Sequence, residues 1–155
     1  MKAFIAAAAA VSIDGYYKPF NHGKGGQLAE YERVIPVRFA TGNDDIFMRS
    51  MISTYALEGK ACEEDDDGKE IKDSCKPDGH FWMNPAGTTA AAKEVLATHK
   101  GLSGADLDNW VSTYFQRTWD HFDVNKVGVI EVIKMPQFMR MICSDQRMQL
   151  GENGF

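Results

Sequence analysis

Cys62 and Cys75 bracket the most highly charged stretch of the chain, the five consecutive acids Glu63 to Asp67. Two chemistries are on offer there. A sulfur bridge would close a loop of about 14 residues, which the chain-entropy model credits with ~3 kcal/mol. The alternative is a pair of free thiols in a reducing compartment. The carboxylates offer the oxygens that a hard cation such as Ca²⁺ prefers. Successive acids point in different directions, however, and most such runs are solvated loops. Cys143 stands in an apolar helical pattern and reads as a buried free thiol, with an intermolecular bridge as the other reading.

The remaining reactive side chains form no catalytic arrangement. His22, His80, His99 and His121 are scattered without metal-ligand spacing. A hydrolase would need Cys143 brought to a distant histidine, which the sequence alone does not suggest. "GKGG" at Gly23 to Gly26 is a flexible stretch rather than a phosphate cradle, and there is no zinc pattern. The reading is therefore non-catalytic, with no cofactor.

The stretch from Thr118 to Ile142, "TWDHFDVNKVGVIEVIKMPQFMRMI", has a more specific frame. Trp119 and Phe122 precede Asp123; Asn125, Gly128 and Ile130 follow at spacings of two, five and seven. Met135, Phe138, Met139 and Ile142 then recur at helical period. This segment resembles a calmodulin-type EF-hand, a helix–loop–helix calcium motif. The resemblance implies oxygen ligands from Asp123, Asn125, the carbonyl of Val129 and, through water, Glu131. Two positions depart from it. Val127 has no side-chain oxygen, and Lys134 places a cation where the family has a bidentate acid. Calcium binding is therefore expected to be weak or lost. Lys134 either pairs with Asp123 or Glu131 in place of the ion, or points to water. EF-hands come in pairs, so a partner hand is expected before it, swollen and degenerate, with Phe81 facing Ile130 across a short inter-loop β bridge.

The elements that must hold these residues are mostly helical. Thr41 or Asn43 caps a first helix with the stripe Phe47, Met48, Met51, Ile52 and Tyr55, ending near Glu58 and Gly59. Pro77, Asp78 and Gly79 form a turn. Asn84 caps a second helix that begins at Pro85 and stops at Gly101. Ser103 caps a third, with Asp106 at capping-box spacing. Its buried face runs through Leu107, Trp110, Val111, Tyr114, Phe115, Trp119 and Phe122. A fourth carries Met135, Phe138, Met139 and Ile142, and Pro136 marks its start. Glu32 to Ala40, interrupted by Pro36, reads as an edge strand or an extended packing segment. The fold class expected is mainly α: a four-helix EF-hand-like pair with a long acidic loop and an extended N-terminal arm.

At 155 residues, with 44% hydrophobic and 25% charged residues and a net charge of −5, the chain is one soluble-type domain with no basic nucleic-acid surface. Residues 1–12, "MKAFIAAAAAVS", read as a secretory signal peptide, or as an Ala-rich helix that packs on the domain; the run is too short to span a bilayer. Residues 13–40 form the arm, 41–150 the helical domain and 151–155 a tail. Together these imply a secreted interaction or structural protein whose partners are other protein subunits, in a homo-oligomer or polymer. The alternative is a calcium-binding protein of the secretory pathway, using the loop 123–134 or the acids 63–67.

Overall fold

A computed structural model describes residues 17, 18, 20, 33–39 and 45–144. The expected leader 1–12, most of the arm 13–40, the tail 151–155 and the outer residues 41–44 and 145–150 of the helical domain lie outside the described residues. Within them the chain forms α1 (Ile46–Ser50), extended by a wider π-type turn over Met51–Tyr55, then β1 (Leu57–Ala61) and β2 (Lys76–Met83). Helices α2 (Pro85–Lys100) and α3 (Gly104–Phe122) follow, then β3 (Ile130–Glu131) and α4 (Met135–Cys143). Helix predominates, but a three-stranded antiparallel sheet in the order β1-β2-β3 joins the helices. The architecture is mixed, and this corrects the expected four-helix EF-hand-like pair.

The correction begins at Tyr55. Asp45, rather than Thr41 or Asn43, caps α1, its carboxylate accepting the Met48 N–H at 3.0 Å. Met48, Met51 and Ile52 are buried as the stripe requires. The backbone then turns extended at Ala56, and Leu57, Glu58 and Lys60 become strand. Gly59 is a poor helix residue, and the partners of Leu57 and Glu58, Trp82 and Phe81, lie more than twenty residues away. The turn expected at Pro77-Asp78-Gly79 is instead an irregularity inside β2. Glu58 pairs with Phe81 but Lys60 with Pro77, so the register slips between them. A Cβ on Gly59 would sit 2.6 Å from an Asp78 carboxylate oxygen, so a larger residue there would push that side chain aside.

Of the two readings of Glu32–Ala40, the described part forms no strand; it packs Ile35 and Phe39 against the core and ends in a short 3-10 turn at Val37–Phe39. Arg33 ties this segment to the end of the first helix. Its Nη1 donates to the carbonyls of Ile52 (2.6 Å) and Ala56 (2.8 Å), groups near the helix end, where carbonyls lack intrahelical donors. Its Nε lies 3.7 Å from the buried Glu58 carboxylate, and its guanidinium lies 5.8 Å from the Phe81 ring centroid. Further along the arm, Phe20 N–H donates to Glu58 O and Lys60 N–H to Lys18 O, both at 2.9 Å. The arm thereby covers the outer edge of β1, an edge that would otherwise expose unpaired backbone groups.

Helix α2 begins and ends where its signals place it. Asn84 Oδ1 accepts the Gly87 N–H at 2.7 Å, Pro85 opens the helix, and Gly101 closes it in the left-handed conformation. Ser103 precedes α3 but makes no side-chain cap. Of the long aromatic face expected on α3, only Phe115, Trp119 and Phe122 meet the main core. Tyr114 is exposed, and Trp110 is half-buried, donating its Nε1 to Ile142 O at 2.8 Å. Helix α4 buries Met135, Phe138, Met139 and Ile142, every residue of its expected stripe. Phe138 is the hub, with ring centroids of Phe122, Phe115 and Trp119 at 5.5, 5.8 and 6.4 Å.

Phe138→Ala is expected to lower the unfolding free energy by about 3–5 kcal/mol in urea denaturation, the usual cost of truncating a fully buried ring. Val124→Ala, at a side chain 74% exposed, is expected to stay within ~0.5 kcal/mol.

Candidate functional site

The loop between α3 and β3 is built around one carboxylate. Asp123 ends α3, its N–H donating to Trp119 O at 2.8 Å, and its side chain folds back under the turn. Oδ1 accepts the Val127 N–H at 2.7 Å and Oδ2 the Gly128 N–H at 2.9 Å. The Lys126 N–H donates to Asp123 O at 3.0 Å. To bring both amides round, the backbone takes positive φ at Lys126 (53°) and Gly128 (85°). Asp123 is only 8% exposed, so these two bonds replace the water that its charge gives up.

The loop exit is set by the sheet. Ile130 pairs with Met83 and Glu131 with Trp82. The expected partner of Ile130 was Phe81; the true one is two residues on. Side chains alternate along a strand, so Phe81 and Met83 share a face, and both are buried with Ile130 in one core. The bridge between the two halves exists, with its register shifted by one full period.

A cavity of about 180 Å³ lies under the loop, and Asp123, Asn125, Val129, Glu131 and Lys134 all line it, with Trp82 closing one side. The structure thus brings together every residue that the resemblance assigned to a cation. It does not form the expected pair between Lys134 and Asp123. Among the described residues Lys134 has no ion pair; it is exposed, at the end of the 3-10 turn Val132–Lys134. The Asp123 oxygens already face two backbone donors, and an ammonium would have to shed its water to join them. Glu131 looks elsewhere too, its Oε1 lying 3.6 Å from His80 Nδ1. For Ca²⁺, which takes six to eight oxygens, the lining is poor. Val127 contributes hydrocarbon and Lys134 a positive charge, and each Asp123 oxygen already accepts a backbone N–H.

The acids of the 63–67 run make no better site. All five are exposed. Asp65 spends its Oδ1 on the N–H groups of Asp67 and Lys69, shaping the hairpin tip. Among the described residues the run forms no group of converging ligands. The expected disulfide is present: Cys62 and Cys75 are bridged. Cys143 is a free thiol, half-buried on α4, and burial pushes its pKa above the ordinary thiol value, with Lys100 opposing.

Sequence reasoning missed several residues that matter to these surroundings. Arg33, Trp82 and Met83 act through contacts made only on folding. Glu70 is a further case: it pairs with Lys18 and with Lys60, and these two hydrogen-bonded ammonium groups hold its carboxyl below the usual range. Nothing in the local pattern of "GKEIKDS" separates Glu70 from its acidic neighbours. No protein-family model matches the chain, nor does any curated protein or solved structure.

Gly128→Ala is expected to cost about 1–2 kcal/mol of stability. A Cβ there meets nothing within 4 Å, so the whole cost comes from the positive φ. Asp123→Asn, which turns an amide donor toward backbone N–H groups, is expected to cost about 1–3 kcal/mol. Urea unfolding of both variants measures these values; equal stability to the parent would mean that the loop is not held by this carboxylate.

Proposed function

We propose that this chain is a non-catalytic structural or interaction module built on an EF-hand-like frame that has largely lost calcium binding. The observation that carries this reading is the side chain of Asp123, which is engaged by the Val127 and Gly128 amides while Lys134 stands where an acid would complete an ion's cage. The loop keeps its shape from within, so the helices around it need no metal to stay in place. A rigid helical body of this kind suits a subunit of a larger assembly, with other protein subunits, including further copies of itself, as partners. The disulfide between Cys62 and Cys75 is compatible with a secreted protein. No helix among the described residues is long and apolar enough to cross a membrane.

Calorimetric titration separates this reading from a secretory calcium-binding protein. The full chain is expected to give no saturable heat with Ca²⁺ up to about 1 mM, the weak end of the EF-hand range. A saturable isotherm that Asp123→Asn abolishes would establish the calcium protein instead. The double variant Val127→Asp, Lys134→Glu restores oxygens on the same frame and is expected to gain calcium affinity; failure to do so would mean that the loop is not an EF-hand frame. Light scattering of the purified chain is expected to give a mass above the 17.3 kDa of one chain.

A further inference from the structure

The neck of the β1–β2 hairpin gathers a second set of chemical groups, independent of the loop at Asp123. Ala61 pairs with Lys76, so Cys62 and Cys75 face each other one step beyond the strands, where they are bridged. Glu70 is carried back to the same point by the hairpin tip. The Ile71 N–H donates to Glu63 O at 2.8 Å, and Glu64 and Glu70 form an antiparallel bridge. One carboxylate oxygen of Glu70 and both sulfurs therefore lie within 4.8 Å of one another. All three residues are half-buried, so solvent reaches them.

We propose that, once the sulfur bridge is reduced, Cys62, Cys75 and Glu70 form a binding site for a borderline divalent cation of the zinc class. Reduction by a phosphine balances as follows: the phosphine gives two electrons to the S–S bond and takes the oxygen of a water molecule. That water's two protons end on the two sulfurs. The cation then displaces both protons, forming two metal–thiolate bonds and one metal–carboxylate bond, with no further electron transfer. Zn²⁺ binds sulfur at about 2.3 Å and carboxylate oxygen at about 2.0–2.2 Å. Tetrahedral geometry from those lengths sets the donor atoms roughly 3.5–3.8 Å apart; the two sulfurs, bonded to each other in the bridge, separate to that spacing once it is cut. The fourth position falls to water.

Charge favours the same assignment. Two thiolates and a carboxylate leave the complex with one net negative charge, and the ammonium groups of Lys18 and Lys60 already sit on Glu70. They would remain as outer partners that orient the carboxylate. Sulfur donors select against Ca²⁺ and Mg²⁺, which prefer oxygen alone. The hairpin neck thus has two closed forms, one held by a sulfur bridge and one by a metal, with an open dithiol form between them.

The test uses the full chain, reduced with a water-soluble phosphine under anaerobic conditions and titrated with Co²⁺ as a spectroscopic probe. The reduced protein is expected to develop sulfur-to-cobalt charge-transfer absorption that saturates at one equivalent and is bleached by Zn²⁺. The oxidised protein is expected to show none. Cys62→Ser or Cys75→Ser is expected to abolish the signal, whereas Cys143→Ser leaves it unchanged. Glu70→Gln should weaken Co²⁺ binding by at least ~10-fold, since losing even an outer partner costs about that much. Alkylation of the reduced wild-type chain with and without Zn²⁺ needs no variant: Zn²⁺ is expected to protect Cys62 and Cys75 but not Cys143. No charge-transfer band, a band that depends on Cys143, or equal labelling with and without Zn²⁺ overturns the site. Unchanged affinity in Glu70→Gln overturns the three-ligand assignment.

Discussion

The pairing of Met83 with Ile130 lies inside a core to which both halves of this protein contribute, where α2 also packs on α3 and α4. On one side stand α1, the β1–β2 hairpin and α2; on the other, α3, the Asp123 loop and α4. Only two residue pairs of β2 and β3 join in the ladder, and the hydrogen bonds alone would be worth little. The join is stable because both side chains on the inner face are buried, Met83 completely, in the cluster that also holds Ile52, Trp119 and Phe138. Met83 and Ile130 share the buried face, and Trp82 and Glu131, the next pair of the ladder, line the cavity under the loop together with Ile130. The cavity is therefore lined by the loop and by the strand pair that closes it.

Magnitudes settle the competition for Asp123. Hydrogen bonds to a charged group contribute about 1.5–3 kcal/mol each, and two backbone N–H groups are presented to the carboxylate by a loop already bent to receive it. An exposed lysine pairing across the same gap would contribute about 0–1 kcal/mol and would immobilise a long flexible side chain. The amides win, and Lys134 stays in water. Arg33 shows the opposite balance. Its guanidinium meets two helix-end carbonyls, the carboxylate of Glu58 and the face of Phe81. Several modest terms converge on one planar group, which a lysine ammonium could not satisfy at once.

What was legible in the sequence was what depends on neighbours in sequence. The bounds of α2 follow from Asn84, Pro85 and Gly101, each acting on its own turn. The stripe of α4 is legible for the same reason, and so is the closure of Cys62 on Cys75 across a short loop. What was not legible depends on distant partners. Leu57 to Ala61 carries no strand pattern, and it becomes β1 only because Phe81 and Trp82 lie beside it. The one-period error that put Phe81 opposite Ile130 arises because both Phe81 and Met83 satisfy the same inward face. The α3 stripe misled in another way. Period alone cannot say how wide the covered face of a helix is: Val111 and Trp119 are buried, while Tyr114 between them is exposed. At the candidate site the residues brought together were foreseen, while their pairing was not, because backbone donors have no letter in the sequence.

The hairpin itself divides into two regimes. Near the core, Glu58, Phe81, Trp82 and Met83 are buried, and the arm covers the outer edge through Lys18 and Phe20. Beyond Gly59 almost nothing is buried: Lys76 to His80 and Glu63 to Lys69 are exposed. A two-stranded ribbon without a hydrophobic face is marginal in water, and five adjacent acids at its tip repel one another. The sulfur bridge therefore carries the distal half, at roughly 3 kcal/mol for a loop of this length. Glu70 adds the electrostatic counterpart, drawing Lys18 and Lys60 onto the neck. Cutting the bridge would remove the larger of these two restraints while leaving the buried half intact. Among the described residues the tip is also tied by the Ile71 N–H to Glu63 O and the Asp65 N–H to Lys69 O, bonds that the bridge between Cys62 and Cys75 reinforces.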